Sequence, residues 1–257
     1  MKAKETVIIY LLSLLIISCK KSKSFKTDPI QPPADQPAQK IFLPVKLESD
    51  KLAIYLKYQD NNLTEIENSD GYKSQITYKN ELPIKLRRFK YDKPISFSEY
   101  SFSDAMKTKI SSFDEDGNLL TPTGHRLLTK NSANQIATIS YFGADKKLFK
   151  EQILTYAASN LSDVSTNDVT SSLTTNFSYS YDSKNGIFKS IKHAQLLFLE
   201  TGYDFFTHAI NNPLSYNSNT EKTTYTYKYN SENYPSELTI TKNNKSQTYK
   251  ITYKEIK

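Results

Sequence analysis

Three histidines, one cysteine and scattered carboxylates are the side chains of this 257-residue sequence with chemistry to offer beyond hydrogen bonding. His125 stands beside a Thr-Gly turn, while His193 and His208 fall in a Leu- and Phe-rich stretch. On one continuous helix the last two would lie about 22 Å apart, too far to share a metal ion. There is no His-Glu-x-x-His, no cysteine pair and no calcium-loop spacing, so neither a metal nor a cofactor is expected. Serine is abundant but sits in no Gly-x-Ser-x-Gly elbow, and no phosphate loop or dinucleotide fingerprint occurs. Asp163 with Asp168, or Asp114 with Asp116, could serve glycoside chemistry only if two acids faced each other across a cleft. Solvated turn charges account for them better. Six glycines in the whole chain also argue against loop-built sites that need close backbone approach. No catalytic residue is assigned, and an enzyme is not expected.

The cysteine has a definite context. Lys2 and Lys4 precede an apolar run, Val7 to Ile17, broken only by Ser13. Eleven helical residues cover roughly 16 Å, about half a hydrocarbon core, which suits a signal segment and not a membrane span. The run ends Ile16-Ile17-Ser18-Cys19. This resembles the bacterial lipobox. The resemblance implies cleavage between Ser18 and Cys19 and attachment of diacylglycerol and a further acyl chain (palmitate or similar) at Cys19. More than one acyl chain makes such an anchor firm. With the lone thiol acylated, no disulfide is expected.

The net charge of +7 divides unevenly: residues 1–44 hold seven lysines and three acids, leaving 27 basic and 24 acidic residues beyond. Lys20, Lys21, Lys23 and Lys26 lie beside the anchor, where attraction to anionic head groups is worth about 1 kcal/mol each. The remainder is only mildly basic, so no nucleic-acid partner is expected. Residues 20 to 41 carry Pro29, Pro32, Pro33 and Pro37 among polar side chains, a composition that cannot bury enough surface to fold. The sequence thus reads as a signal peptide (1–18), a lipidated cysteine with a Pro-rich tether (19–44), and one β-rich domain (45–257).

The elements of that domain announce themselves by alternation. Tyr72, Ser74, Ile76 and Tyr78 alternate with polar residues, as do Phe177, Tyr179 and Tyr181, then Tyr225, Tyr227 and Tyr229, then Tyr249, Ile251 and Tyr253. One apolar face and one wet face is the pattern of half-buried antiparallel strands. Turn residues that tolerate positive φ separate the runs: Asp60-Asn61-Asn62, Ser69-Asp70-Gly71, Asp116-Gly117-Asn118, Asn185-Gly186 and Asn243-Asn244. These rules give an all-β antiparallel meander of about twelve strands, forming a large curved sheet or a partly open barrel. His193 to Ile210 lacks the two-residue period, and its Leu and Phe residues fit one or two short helices split near Gly202. This insert would cover an open sheet face. The polar run Ala158 to Ser172 reads as a surface loop, or a loop holding a short helix.

A loose repeat of aromatic, polar turn and Leu runs through the chain: Tyr58-Gln-Asp-Asn-Asn-Leu63, Tyr78-Lys-Asn-Glu-Leu82-Pro83, Phe113 to Leu119 and Tyr229 to Leu238. It resembles the tyrosine-aspartate repeats of large β-rich surface proteins. The blocks Tyr179 to Lys189, Asn211-Asn-Pro-Leu214 and Tyr225 to Pro235 are similar to small outer-membrane lipoproteins of Bacteroidota built from repeated hairpins with a helical insert. That resemblance implies a fold and a compartment but brings no activity. The basic run after Cys19 points to the periplasmic face of the outer membrane. The expected function is a non-catalytic envelope module, with Tyr225, Tyr227 and Tyr229 as a candidate binding face for an envelope protein or a glycan. The same row would otherwise be buried. A carrier of an apolar or lipid ligand is the alternative reading, and a hydrolase using acids brought together by folding is a third.

Overall fold

The computed structural model describes residues 40–199, 210–218 and 220–256. The signal segment, Ser18, Cys19 and the tether up to residue 39 lie outside the described residues, as do His208 and the part of the insert around Gly202. Strand β1 (Ile41–Glu48) is followed by β2 (Ala53–Gln59), β3 (Asn62–Asn68), β4 (Tyr72–Lys79) and β5 (Leu82–Lys90). Then come β6 (Lys93–Asp104), β7 (Lys107–Asp116), β8 (Leu119–Lys130), β9 (Ile136–Gly143) and β10 (Leu148–Ala157). The remainder is β11 (Asn160–Asp168), β12 (Leu173–Tyr181), helix α1 (Ala194–Phe198), β13 (Pro213–Ser218), β14 (Lys222–Tyr229), β15 (Pro235–Lys242) and β16 (Lys245–Ile256).

Each strand pairs antiparallel with its neighbours in sequence, and β1 pairs with β16, so the described residues form a closed barrel of sixteen strands. This corrects the expectation of about twelve strands in a curved or partly open sheet. Closure depends on Ile41 pairing with Ile256 and Leu47 with Ile251, a register between the two ends of the domain. Pro44, inside the stretch expected as tether, sits in β1 at a β-bulge where a missing N–H is tolerated. The folded unit accordingly begins at Lys40. Ala158 to Ser172 is not a loop: β11 runs through most of it. Its outward Asp163, Ser165 and Asn167 and inward Thr166 and Asp168 leave only Leu161 and Val164 to mark the apolar face.

The turns match the chemistry of short hairpins. Asp60 with Asn61, Asn80 with Glu81, Tyr91 with Asp92, Ala158 with Ser159 and Asn243 with Asn244 are pairs with positive φ, the two-residue turns whose twist suits antiparallel strands. The Asn185-Gly186 signal lies in the insert between β12 and β13 instead. At one end of the barrel, register shifts place Tyr58 against Leu63, Tyr78 against Pro83, Tyr156 against Leu161 and Tyr229 against Pro235. The loose repeat of the sequence is this hairpin end, an aromatic facing the residue beyond a bulge. The Phe113 to Leu119 match falls at the opposite end and is a different unit.

Sixteen strands about 4.8 Å apart make a hoop of about 75 Å, too wide for wall side chains to meet across a round lumen. The insert fills part of it. Ile187, Phe188, Ile191, Leu197 and Phe198 are buried in one cluster with Leu56, Ile76, Leu86, Ile110, Leu128 and Ile139 of the wall. Phe188 and Phe198 meet edge to face at 4.9 Å. Among the described residues the helical part is only Ala194–Phe198. The described part of the insert is therefore mostly irregular chain inside a closed wall, not a helix laid over an open sheet. Its base is stitched by Asn212, almost fully buried, whose side chain donates to Asp182 Oδ2 at 3.1 Å and the Asn185 carbonyl at 2.9 Å, and accepts from the Ile187 N–H at 3.2 Å.

Candidate functional site

The wall separates two faces by polarity. Inward, Leu56, Ile66, Ile76, Leu86, Tyr100, Ile110, Leu128, Ile139 and Val164 follow one another around the barrel and are buried. Outward, many of the facing residues are charged or hydroxylic, though Phe97 stacks on Phe113 at 4.7 Å on the same face. Lys57 meets Glu65 at 2.5 Å and Glu67 at 3.1 Å, Lys85 meets Glu99 at 3.6 Å, Arg87 pairs with Glu115, and Lys228 meets Glu237 at 2.7 Å. Ser180–Ser215, Thr239–Thr248 and Thr241–Ser246 are hydroxyl pairs at 2.7–2.8 Å. Burial raises the Glu65 carboxyl, but hydrogen bonds from Lys57 and Gln75 outweigh it and hold the group below its usual range. Ile153, Leu127 and Tyr55 are exposed singly on this face, as scattered apolar residues of ordinary surfaces are.

The candidate binding row Tyr225, Tyr227, Tyr229 faces inward. Tyr225 is 3% exposed, the Tyr227 hydroxyl donates to the Pro213 carbonyl at 2.8 Å, and Tyr229 hydrogen-bonds Asp182. The row is not an outer platform; a ligand meets it only from within the barrel. His125 stacks on Phe142 at 4.5 Å on the outer face, and burial lowers its pKa. His193 contacts the Glu81 carbonyl through Nε2 at 3.1 Å, and burial pushes its imidazole down despite that contact. Asp163 and Asp168 lie on opposite faces of β11 and cannot act as a pair across one cleft. Among the described residues, no cluster of His, Cys, Asp and Glu could hold a metal ion.

Among the described residues, two adjoining spaces lie against the insert, one inside the barrel and one at a mouth. An apolar cavity of about 240 Å³ lies between the β9–β13 wall and the insert, bounded by Ile139, Leu154, Val164, Phe177, Tyr179, Tyr216 and Leu199. Its inner polar edge is Gln152, which accepts from the Tyr141 hydroxyl at 2.7 Å and donates to Thr166 at 3.1 Å. At the end where β1 begins, a groove of about 570 Å³ separates the insert from the β5–β9 hairpins, lined by Leu82, Phe102, Leu128, Ile191 and Ile210 with Lys130, Lys189, Asp104 and Asn134. Ile136 and Gln195 line both spaces.

Beyond Gln152 the interior turns polar and cationic. Arg88 and Arg126 are pushed down first by burial, Arg88 also by the charge of Arg126, and Lys150 by burial and Arg126. Arg88 reaches Ser96 and Ser98 at 3.4 Å, and Lys150 stands 3.9 Å over the Tyr141 ring. Burial raises the Tyr100 phenol to about 12. These residues escape sequence reasoning because each sits on a different strand. The one signal was strand parity, which puts Arg88, Arg126 and Lys150 on the same face as Leu86, Leu128 and Leu154.

No protein-family model and no curated protein sequence matches the chain, so the tyrosine-aspartate repeat resemblance gains no support from them. Among solved structures, the barrel is similar to a porin-like protein from Bacteroides uniformis, 12% identical, covering 84% of this chain and 96% of that one with a TM-score of 0.43. A porin-like protein from Bacteroides vulgatus is 9% identical, covering 83% of this chain and 99% of that one with a TM-score of 0.39.

Proposed function

We propose that this chain is a non-catalytic, lipid-anchored envelope protein whose barrel stays in water and holds an apolar small molecule between its wall and its insert. The observation that carries the reading is the cavity lined mainly by aliphatic and aromatic side chains, with Gln152 and Gln195 at its polar edges, behind a charged wall. A membrane barrel has the reverse polarity: an apolar band outside and a wet lumen, with a lipid-facing Lys or Arg costing about 2–4 kcal/mol near the midplane. Lys57, Lys85, Arg87 and Lys228 all point outward and pair across strands, which suits water. Ligand sites are concave, mostly apolar and carry few polar groups, as Gln152 and Gln195 are here. The anchor comes from the sequence ahead of the barrel, where a short apolar run ends at Ser18-Cys19. The test is fluorescence of a neutral apolar dye such as N-phenyl-naphthylamine. Saturable enhancement should be lost in Leu154→Trp, which fills the cavity, while the urea midpoint stays within the folded range. Unchanged dye binding in a folded Leu154→Trp protein would remove the cavity from the reading.

A further inference from the structure

The groove at the β1 end differs from the cavity it adjoins in one respect: its mouth is positively charged. Lys130 and Lys189 stand on opposite banks, one at the end of β8 and one on the insert. Each is held by a neutral amide oxygen, Lys130 by Asn134 at 3.0 Å and Lys189 by Asn185 at 2.9 Å. Neither has a carboxylate partner among the described residues. Lys192, close by, is 3.6 Å from Glu81, and Asp104 is the one acid on the lining. Asp104 is occupied in its own turn, accepting the Met106 N–H at 2.7 Å. The rest of the groove lining is mostly Leu, Ile, Phe and Ala, with Thr108, Asn134 and His193 among them, and Ile136 and Gln195 are common to both spaces.

Resting on the apolar-cavity reading, we propose that the ligand is a single acyl chain with an anionic head, its tail passing Ile136 and Gln195 into the cavity and its head held at Lys130 and Lys189. The groove alone, at about 570 Å³, falls within the about 300–1,000 Å³ of small-molecule sites. The charged head stays at the mouth because drawing an ionised group through an apolar passage carries a heavy desolvation penalty. Arg88 and Arg126 lie on the far side of Gln152 and are engaged there, so they are not the head's partners. Chemically, a carboxylate, a phosphate or a sulfate would serve as head, since two lysine ammonium groups act as point charges and select no planar geometry.

The experiment uses the full acylated chain in phosphatidylcholine vesicles and two photoreactive probes, dodecanoate and dodecanol, each with a diazirine near the methyl end. Dodecanoate should crosslink saturably to the cavity residues Leu154, Val164 or Leu199. The double variant Lys130→Gln/Lys189→Gln should weaken dodecanoate about fivefold and leave dodecanol unchanged, as expected for two solvent-accessible ion pairs. Lys189 is exposed and Lys130 half-buried, each bound only to a neighbouring amide, so the variant is expected to keep its fold, which circular dichroism checks. Equal labelling by acid and alcohol, indifferent to the lysines, overturns the anionic head while leaving the cavity reading standing. Crosslinks confined to the outer wall overturn both.

Discussion

The Tyr58 hydroxyl donates to the Pro44 carbonyl at 2.7 Å, from the second strand of a hairpin back to the first. Tyr78 does the same to Leu63 at 2.8 Å, Tyr156 to Ile136 at 2.8 Å and Tyr227 to Pro213 at 2.8 Å. The four hairpins share a reason. β1 with β2, β3 with β4, and β13 with β14 pair over only three residues each, near their turns, and β9 with β10 over five. Toward the insert end these strands splay, and a phenol reaches across where ladder bonds have stopped. A phenolic side chain is long enough to span that gap and can bury its ring on the way. The abundance of Tyr over other aromatics follows from this use.

Removing one of these hydroxyls should therefore loosen the barrel without changing its shape. Tyr58→Phe and Tyr227→Phe are each expected to lower unfolding free energy by about 0.5–1.5 kcal/mol, and the double variant by about the sum, since the residues sit in separate hairpins. Urea midpoints at constant slope measure it. Midpoints that do not move would mean that these bonds contribute nothing beyond what water supplies.

Asn212 joins more of the structure than any other buried polar side chain described, binding Asp182, Asn185 and Ile187 where the insert leaves the wall. Asn212→Ala strands a buried N–H and a buried carbonyl and takes a donor from Asp182, so a loss of about 2–4 kcal/mol is expected. Hydrogen exchange should show the insert opening before the wall. Uniform loss of protection over the whole barrel would mean that the insert and the wall unfold as one unit.

The polarity of the wall makes a prediction about solvent. Residues 40–257, made without the leading segment, should purify in buffer without detergent and give no conductance steps in a planar bilayer. A requirement for detergent, or stepwise conductance, would contradict the placing of Lys57, Lys85 and Lys228 in water. In the full chain, Cys19→Ser should abolish acyl labelling and membrane retention and leave the circular dichroism of the barrel intact.

How much of this was legible depended on which interior layer a strand crosses. β4, β14 and β16 put Tyr and Ile inward, so their two-residue period is plain in the sequence. β11 crosses the polar layer with Thr166 and Asp168 inward, and it presents Ser and Asn outward, so the same geometry leaves no hydropathy trace. Strand count suffered for that reason, and closure suffered for another. The pairing of Leu47 with Ile251 is a contact between distant segments that no local pattern records. The cavity is built from five strands and an insert, and no single strand carries its signature. The tyrosine row was legible as a row but not as to side: alternation says that Tyr225, Tyr227 and Tyr229 share a face, and only the closed wall says that the face is inside.

That same burial of phenols sets the response to alkali. Burial raises Tyr58, Tyr78, Tyr181, Tyr227 and Tyr253 well above the ordinary value, and raises Tyr100 and Tyr156 to about 12. A free phenol ionises near 10. A group whose folded pKa exceeds its unfolded one contributes stability that is complete below the unfolded value and disappears as pH rises toward the folded value. Several such groups act together here, so stability should fall steeply from about pH 10 to about pH 12. Phenolate absorbance of this set should lag and then rise in one step, coincident with loss of the β-sheet circular dichroism. The four hydroxyls that bridge splayed strands lose their proton in that step and can no longer donate. Gradual titration with the sheet signal intact would show that these phenols reach water without unfolding, contrary to the burial described.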